Sequence, residues 1–212
     1  MTKLLVFLIY SLVFVLASPL YLVVYILVFL IDGSPVIFKQ ERVGINQTRF
    51  YLYKFRSMRI NSHIIKDGLA VSENDNRLTK LGSFLRKSSL DEIPQIINLI
   101  KFDINLVGPR AMLPEQLPYL SQIQKNRFLV RPGLVGYATI KGRASIPWSK
   151  RIHYDLLYVQ KKNFLLDIYI LFKSIPLVLS GSNVYYDHKK NGPAFDLTSP
   201  DNLPQAKSSE IN

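Results

Sequence analysis

Residues 4–31 run without a single charged side chain, between Lys3 and Asp32. Beyond Asp32 the pattern shortens and alternates. Residues 36–43 and 48–58 read as two strands, joined through Gly44-Ile45-Asn46-Gln47 into a hairpin. Phe50, Leu52, Lys54 and Arg56 share one face of the second strand. Residues 61–76 are polar and read as a loop. Leu78, Leu81, Phe84 and Leu85 recur at helical spacing among Arg77, Lys80, Arg86 and Lys87. Residues 89–100 predict another helix, 134–140 a short strand, and 148–162 and 165–179 two further helices. The last of these is strongly apolar yet carries Asp167, Lys173 and Pro176, which suits either a helix lying in a membrane interface or a core helix. The tail after Gly181 is rich in Asn, Pro, Ser and Asp and reads as disordered. The class expected is α+β and mainly helical, with a small antiparallel β element behind an apolar N-terminal helix.

That first helix would be about 42 Å long at roughly 1.5 Å per residue, whereas about 20 residues suffice to cross the hydrocarbon core. A cleaved signal peptide does not fit, because the run passes well beyond about 15 residues without a small-x-small site. Pro19 sits near its middle and must kink or break the helix. The arms on either side, about 15 and about 12 residues, are each too short to cross alone. Two arrangements are open: a kinked helix spanning once, or a broken hairpin that enters and leaves on one face. In either, backbone groups freed at the break need partners, and the Ser18 hydroxyl is one.

Charge divides the 212 residues into three parts. Residues 1–32 hold only Lys3 and Asp32 and net zero. Residues 33–182 carry 23 basic and 10 acidic side chains, a net +13. Residues 183–212 carry three Lys and four acids, a net −1. The boundaries mark a membrane anchor, a basic domain and a flexible tail. A basic domain directly after an apolar anchor is the pattern of a domain on the cytoplasmic face, drawn to anionic lipid headgroups. Nucleic acid is the other common partner for such charge, but no helix-turn-helix, RNP or zinc-finger pattern occurs. The absence of Cys excludes a disulfide framework, a thiolate zinc site and a Cys nucleophile.

The chemistry concentrates in Arg86-Lys87-Ser88-Ser89-Leu90-Asp91-Glu92-Ile93-Pro94-Gln95. Ser89 and Glu92 have the spacing of a capping box, so a helix is expected to begin here, with Glu92 as its cap. Asp91 would then lie in the first turn, where the helix dipole favours a carboxylate, and the carboxylate is the nucleophilic form. Adjacent carboxylates also suit Mg²⁺, which takes one or two of them plus substrate phosphates. Val107-Gly108-Pro109-Arg110, Arg131-Pro132-Gly133 and Lys141-Gly142-Arg143 add three Gly/Pro turns, each with an Arg. Glycine admits close backbone approach to a ligand, and Arg grips phosphate oxygens. Together they point to a diphosphate substrate. His63, His153 and His188 are far apart and read as surface residues.

In order along the chain stand Ser18-Pro19, Phe38-x-Gln40-x-Arg42-x-Gly44, Tyr53-Lys54-Phe55-Arg56-Ser57-Met58, Arg77-Leu78-Thr79, Ser89-Leu90-Asp91-Glu92-Ile93-Pro94-Gln95, Gly108-Pro109-Arg110, Arg131-Pro132-Gly133 and Gly142-Arg143. This set resembles the bacterial sugar transferase family, specifically its small monotopic phosphoglycosyl transferases. The resemblance implies a re-entrant anchor broken at Ser18-Pro19. It implies transfer of a sugar phosphate from a UDP-sugar to a polyprenyl phosphate with Mg²⁺ and release of UMP, at the bacterial cytoplasmic membrane. It makes Asp91 the nucleophile and a metal ligand and Glu92 its acidic partner. Lys54, Arg56, Arg86, Arg110 and Arg143 become phosphate or nucleotide contacts. Two departures stand out: Pro109-Arg110-Ala111 in place of Pro-Arg-Pro, which would loosen the turn after Arg110, and Ala138-Thr139-Ile140-Lys141-Gly142-Arg143 in place of Ala-Gln-Val-Asn-Gly-Arg.

Two other classes compete. A metal-dependent glycosyltransferase releasing UDP would use an acidic-x-Asp triplet, for which Glu73-Asn74-Asp75 is the candidate. A basic membrane adaptor would have no turnover. The sequence names neither the sugar nor the glycan pathway, and it is compatible with a homodimer.

Overall fold

The computed structural model describes residues 3–60, 62, 71, 72, 74–182, 184 and 185. Most of the expected polar loop, Glu73, His63, His188 and nearly all of the tail lie outside the described residues.

The charge-free run forms α1, Lys3–Asp32, a helix of 30 residues. Pro19 lies inside α1 without ending it, so the expected break at Ser18-Pro19 is the loss of one hydrogen bond in a continuous helix. Proline has no N–H for the carbonyl four residues earlier. That carbonyl belongs to Val15, and the Ser18 hydroxyl donates to it at 2.7 Å. Among the described residues α1 is the one helix long and apolar enough to cross a membrane.

The expected hairpin forms as β1 (Ile37–Val43) and β2 (Arg49–Phe55), antiparallel from Ile37↔Phe55 to Val43↔Arg49. Asn46 takes up the left-handed conformation at the turn (φ 50°), which Asn tolerates better than most residues. Alternation then sends the two faces of β2 to different clusters. Phe55 packs with Val24 and Val28 of α1, Val36 and Leu85. Leu52 packs with Leu99 and Ile104, and Tyr10 of α1 closes over that cluster. Both arms of α1 therefore rest on the same globular unit.

Helix α2 (Lys80–Lys87) starts at Thr79, whose hydroxyl accepts from the Gly82 amide at 2.8 Å and donates to Asp32 at 2.9 Å. The single helix expected over 89–100 is instead a 3₁₀ segment, Leu90–Gln95, followed by α3, Ile96–Ile100. Pro94 explains the difference, because it cannot supply the α-helical bond to Leu90. The capping box is absent as well: Ser89 sits at φ 59° and its side chain caps nothing.

The Gly/Pro turns serve packing before chemistry. β3 (Asn105–Val107) and β4 (Gly133–Val135) pair in parallel, an element not expected from the sequence. The strand predicted over 134–140 stops at Val135, and Tyr137–Ile140 forms a short helix, α5. A Cβ on Gly133 would lie 2.1 Å from the Gly108 amide nitrogen. These glycines thus let the two paired backbones pack closely against each other.

Helices α6 (Trp148–Lys161) and α7 (Phe164–Leu179) lie within a residue of their expected bounds. α6 buries Ile152 and Leu156 against Val43, Met112, Leu120 and Phe128. α7 buries Ile170 and Ser174, while Leu165, Phe172 and Leu179 stand 70–81% exposed on its outside.

Candidate active site

Asp91 and Glu92 occupy the first turn of the 3₁₀ segment, held against β2 and α2. Although adjacent, they have different surroundings. Glu92 Oε1 accepts from Lys54 Nζ at 2.7 Å and from Arg110 Nη2 at 2.5 Å. Asp91 is 4% exposed and accepts no hydrogen bond among the described residues. Its ion partner is Lys54, with Nζ 3.6 Å from Oδ2.

The protonation of the pair diverges accordingly. Burial opposes ionisation of Glu92, but Arg110 and Lys54 outweigh it and hold its carboxyl well below the usual range. Burial, reinforced by the Glu92 charge, raises Asp91 above the usual aspartate value, while Lys54, Arg86 and Arg110 pull the other way. The helix dipole was expected to favour an ionised Asp91. In a six-residue 3₁₀ segment behind a left-handed Ser89, desolvation is the larger effect. Burial also lowers Lys54, against the two carboxylates that sustain its charge.

The other predicted cations converge from three directions, with one exception. Arg86, in the last turn of α2, donates from Nε to Ser57 Oγ at 2.9 Å and interacts electrostatically with Asp91. Arg110 leaves the turn after β3 with half of its side chain in solvent. Arg143, at φ 50° beyond Gly142, donates from Nη2 to Ser89 Oγ at 2.7 Å. It also reaches the Ser182 carbonyl at 3.4 Å. Arg56 is the exception: its Nη2 donates to the carbonyls of Asp32 and Gly33 at the C-terminus of α1. A cation there complements the helix dipole. Through these bonds Arg56 ties the apolar helix to the domain, while its Nε and Nη1 are buried without a partner among the described residues.

Asp75, the described part of the rival Glu73-Asn74-Asp75 triplet, is chelated by Arg77, with Nη2–Oδ2 2.6 Å and Nε–Oδ1 2.8 Å.

Residues 1–181 match the model of the bacterial sugar transferase family. The chain belongs to that family. A Bacillus subtilis (strain 168) relative described as an uncharacterized sugar transferase, EpsL, is 43% identical over 152 residues, 72% of this chain and 74% of the relative. The undecaprenyl-phosphate galactose phosphotransferase of Salmonella typhimurium is 35% identical over 187 residues. The UDP-glucose:undecaprenyl-phosphate glucose-1-phosphate transferase of Xanthomonas campestris pv. campestris is 36% identical over 175 residues. Those two alignments cover 82% and 79% of this sugar transferase but 40% and 36% of the relatives' own lengths.

One site residue of this sugar transferase was given no role from its sequence. Arg42, in β1, interacts with both Arg110 and Glu92. Burial, with Arg110 nearby, pulls it down to about 9, which still leaves it charged at neutral pH. It lies in the Phe38-x-Gln40-x-Arg42-x-Gly44 string, so the signal was present without a function attached. Arg42, Lys54, Arg86, Arg110 and Arg143 together place five cations around two carboxylates. An excess of three positive charges suits a ligand with several anionic oxygens.

Proposed function

We propose that this sugar transferase moves a sugar-1-phosphate from a UDP-sugar to polyprenyl phosphate and releases UMP. The observation that carries the reading is the unequal pair of carboxylates: Glu92 is engaged by two cations, while the buried Asp91 beside it accepts no hydrogen bond among the described residues. The names of the Salmonella and Xanthomonas relatives specify sugar phosphotransfer with undecaprenyl phosphate, which supports the same class here.

In the first half-reaction the Asp91 carboxylate attacks the phosphorus that bears the sugar. The bond between the donor's two phosphates breaks, and UMP leaves with the bridging oxygen. In the second, a phosphate oxygen of the polyprenyl phosphate attacks that phosphorus. The aspartyl-phosphate bond breaks, and Asp91 returns to a carboxylate. Lys54, Arg86, Arg110 and Arg143 offset the charge on the transferring group through both steps. Removing solvent from Asp91 raises its basicity and so its nucleophilicity. A carboxylate without hydrogen-bond partners also fits Mg²⁺, which accepts one carboxylate and completes its shell with phosphate oxygens and water. Asp91 would hold it, and the bound ion would supply further neutralisation of phosphate charge.

A lipid acceptor requires the site to lie at the membrane surface. A helix that departs to cross a bilayer touches its domain at one end. Tyr10 and Val28, roughly 27 Å apart along α1 at about 1.5 Å per residue, both pack on the domain. This supports an anchor held along one side of the domain, with both ends on the cytoplasmic face, over a helix that spans once. The exposed Leu165, Phe172 and Leu179 of α7 suit the same headgroup layer.

The test is turnover of a panel of UDP-sugars by the purified protein with polyprenyl phosphate. UMP as product, abolished by Asp91→Asn, supports the reading. UDP as product would make it a glycosyltransferase, and an absence of turnover with every donor would favour an adaptor.

A further inference from the structure

The Arg110 guanidinium reaches Glu92 from a turn whose own geometry needs explaining. The turn runs Gly108-Pro109-Arg110-Ala111, with Ala where a second proline ring would have stiffened it. Two other arginines hold it. Arg127 Nη2 donates to the Arg110 carbonyl at 2.9 Å, and Arg42 Nη1 donates to the Ala111 carbonyl at 2.9 Å. Consecutive carbonyls are thus gripped from opposite sides, by the 3₁₀ segment Asn126–Leu129 and by β1.

The Arg127 grip is itself fixed from behind. Arg127 is 2% exposed and pairs with Asp155 of α6, also 2% exposed, at 2.6 Å from Nη2 and 3.2 Å from Nε. Its remaining nitrogen, Nη1, has no partner among the described residues. A buried ion pair seldom outperforms a well-packed apolar pair of the same volume, and an orphaned donor makes it worse. Stability is therefore a poor explanation for Arg127, and the carbonyl it holds is a better one. Arg42 is steadied in turn by Gln40, with Nη2–Oε1 2.6 Å.

We infer that Arg127, backed by Asp155, and Arg42 are positioning residues, a two-guanidinium clamp on the carbonyls of Arg110 and Ala111 that keeps the Arg110 side chain on Glu92. Neither of them touches Asp91. The clamp bears on the turn that was expected to be looser. Its catalytic consequence rests on the phosphosugar-transfer reading; its structural consequence does not.

Arg127→Lys separates the two parts of the interaction. Lysine keeps a charge beside Asp155 but lacks the fixed fork that also reaches a carbonyl. Arg42→Lys does the same from β1, at a side chain less deeply buried than Arg127, so it remains a usable test if the Arg127 variant folds poorly. Both are made in the full chain in detergent. The amides of Val43 and Gly133 donate to the Met112 and Pro109 carbonyls on either side of the turn. Hydrogen exchange at those amides should accelerate in each variant, while α2 keeps wild-type exchange. UMP release should fall between about ten- and a hundredfold in kcat/KM, split between kcat and KM as for Arg110→Ala. In an Arg110→Ala background, Arg127→Lys should cost less than about a further twofold. Unchanged exchange at Val43 and Gly133, or losses from Arg127→Lys and Arg110→Ala that multiply fully, would overturn the clamp. If the wild type releases no UMP, the functional reading fails, and exchange alone still decides the clamp.

Discussion

Glu92→Gln removes one charge and keeps the side chain's shape. In the native protein its Oε1 takes Lys54 at 2.7 Å and Arg110 at 2.5 Å. A hydrogen bond to a charged partner contributes about 1.5–3 kcal/mol. The Lys54 bond belongs near the middle of that range, since both side chains are only 18% exposed. The Arg110 bond, with half of the arginine in solvent, contributes no more than about 1 kcal/mol. Because the Gln amide oxygen still accepts from both donors, the variant should lose only the charge-assisted part of these bonds, roughly 1–2 kcal/mol, or about 2–8 °C in the midpoint of thermal unfolding in detergent. Lys54 then has Asp91 Oδ2, 3.6 Å away, as its remaining carboxylate. That tightens its hold on the nucleophile and lowers the nucleophile's basicity. The kcat/KM for UMP release should fall about ten- to a hundredfold, yet the covalent step should survive. Thermal unfolding and UMP release on one preparation check both parts. A Glu92→Gln protein with unchanged stability, or one that forms no adduct while Asp91→Asn still does, would refute the division of roles.

Arg143→Ala should lower kcat/KM by roughly ten- to a hundredfold with folding intact, read from donor saturation curves. Arg56→Ala should leave donor KM near the wild-type value while loosening α1 from the domain, seen as faster proteolysis at Gly33. Because burial raises Asp91 and its carboxylate is the attacking form, single-turnover UMP release should rise with pH through a value above the ordinary aspartate range. Lys54→Met should push that acid limb to still higher pH, because Lys54 is the first cation opposing the shift. Single cysteines at Thr2 and Ser34, in a chain without native Cys, should both label from the cytoplasmic side only; periplasmic labelling at Thr2 would mean that α1 spans.

The parts of the fold governed by local rules were legible. Period-2 alternation and a turn tolerant of left-handed Asn marked the hairpin, and apolar spacing marked α2, α6 and α7 to within about a residue or two. What failed depended on partners distant in sequence. Ser89 and Glu92 had capping spacing, but Lys54 and Arg110, 38 and 18 residues away, claim the Glu92 carboxylate. Gly108 and Gly133 looked like ligand-approach glycines, and only the parallel pairing of β3 and β4 shows that they accommodate each other's backbone. Arg56 stands in the same string as Lys54, and nothing local told that its Nη2 would also reach the end of α1. Arg127 and Asp155 carried no motif at all, because a buried pair joining a 3₁₀ segment to a helix leaves no local spacing to read.

The measurement that tests the central claim most directly uses radiolabelled UDP-sugar without polyprenyl phosphate. The wild type should release about one UMP per enzyme and keep sugar label on the protein. Mass spectrometry of the trapped peptide should place the phosphosugar on Asp91. UMP that appears only when the lipid acceptor is present, with no labelled protein trapped, would contradict the account and point to direct transfer in a ternary complex.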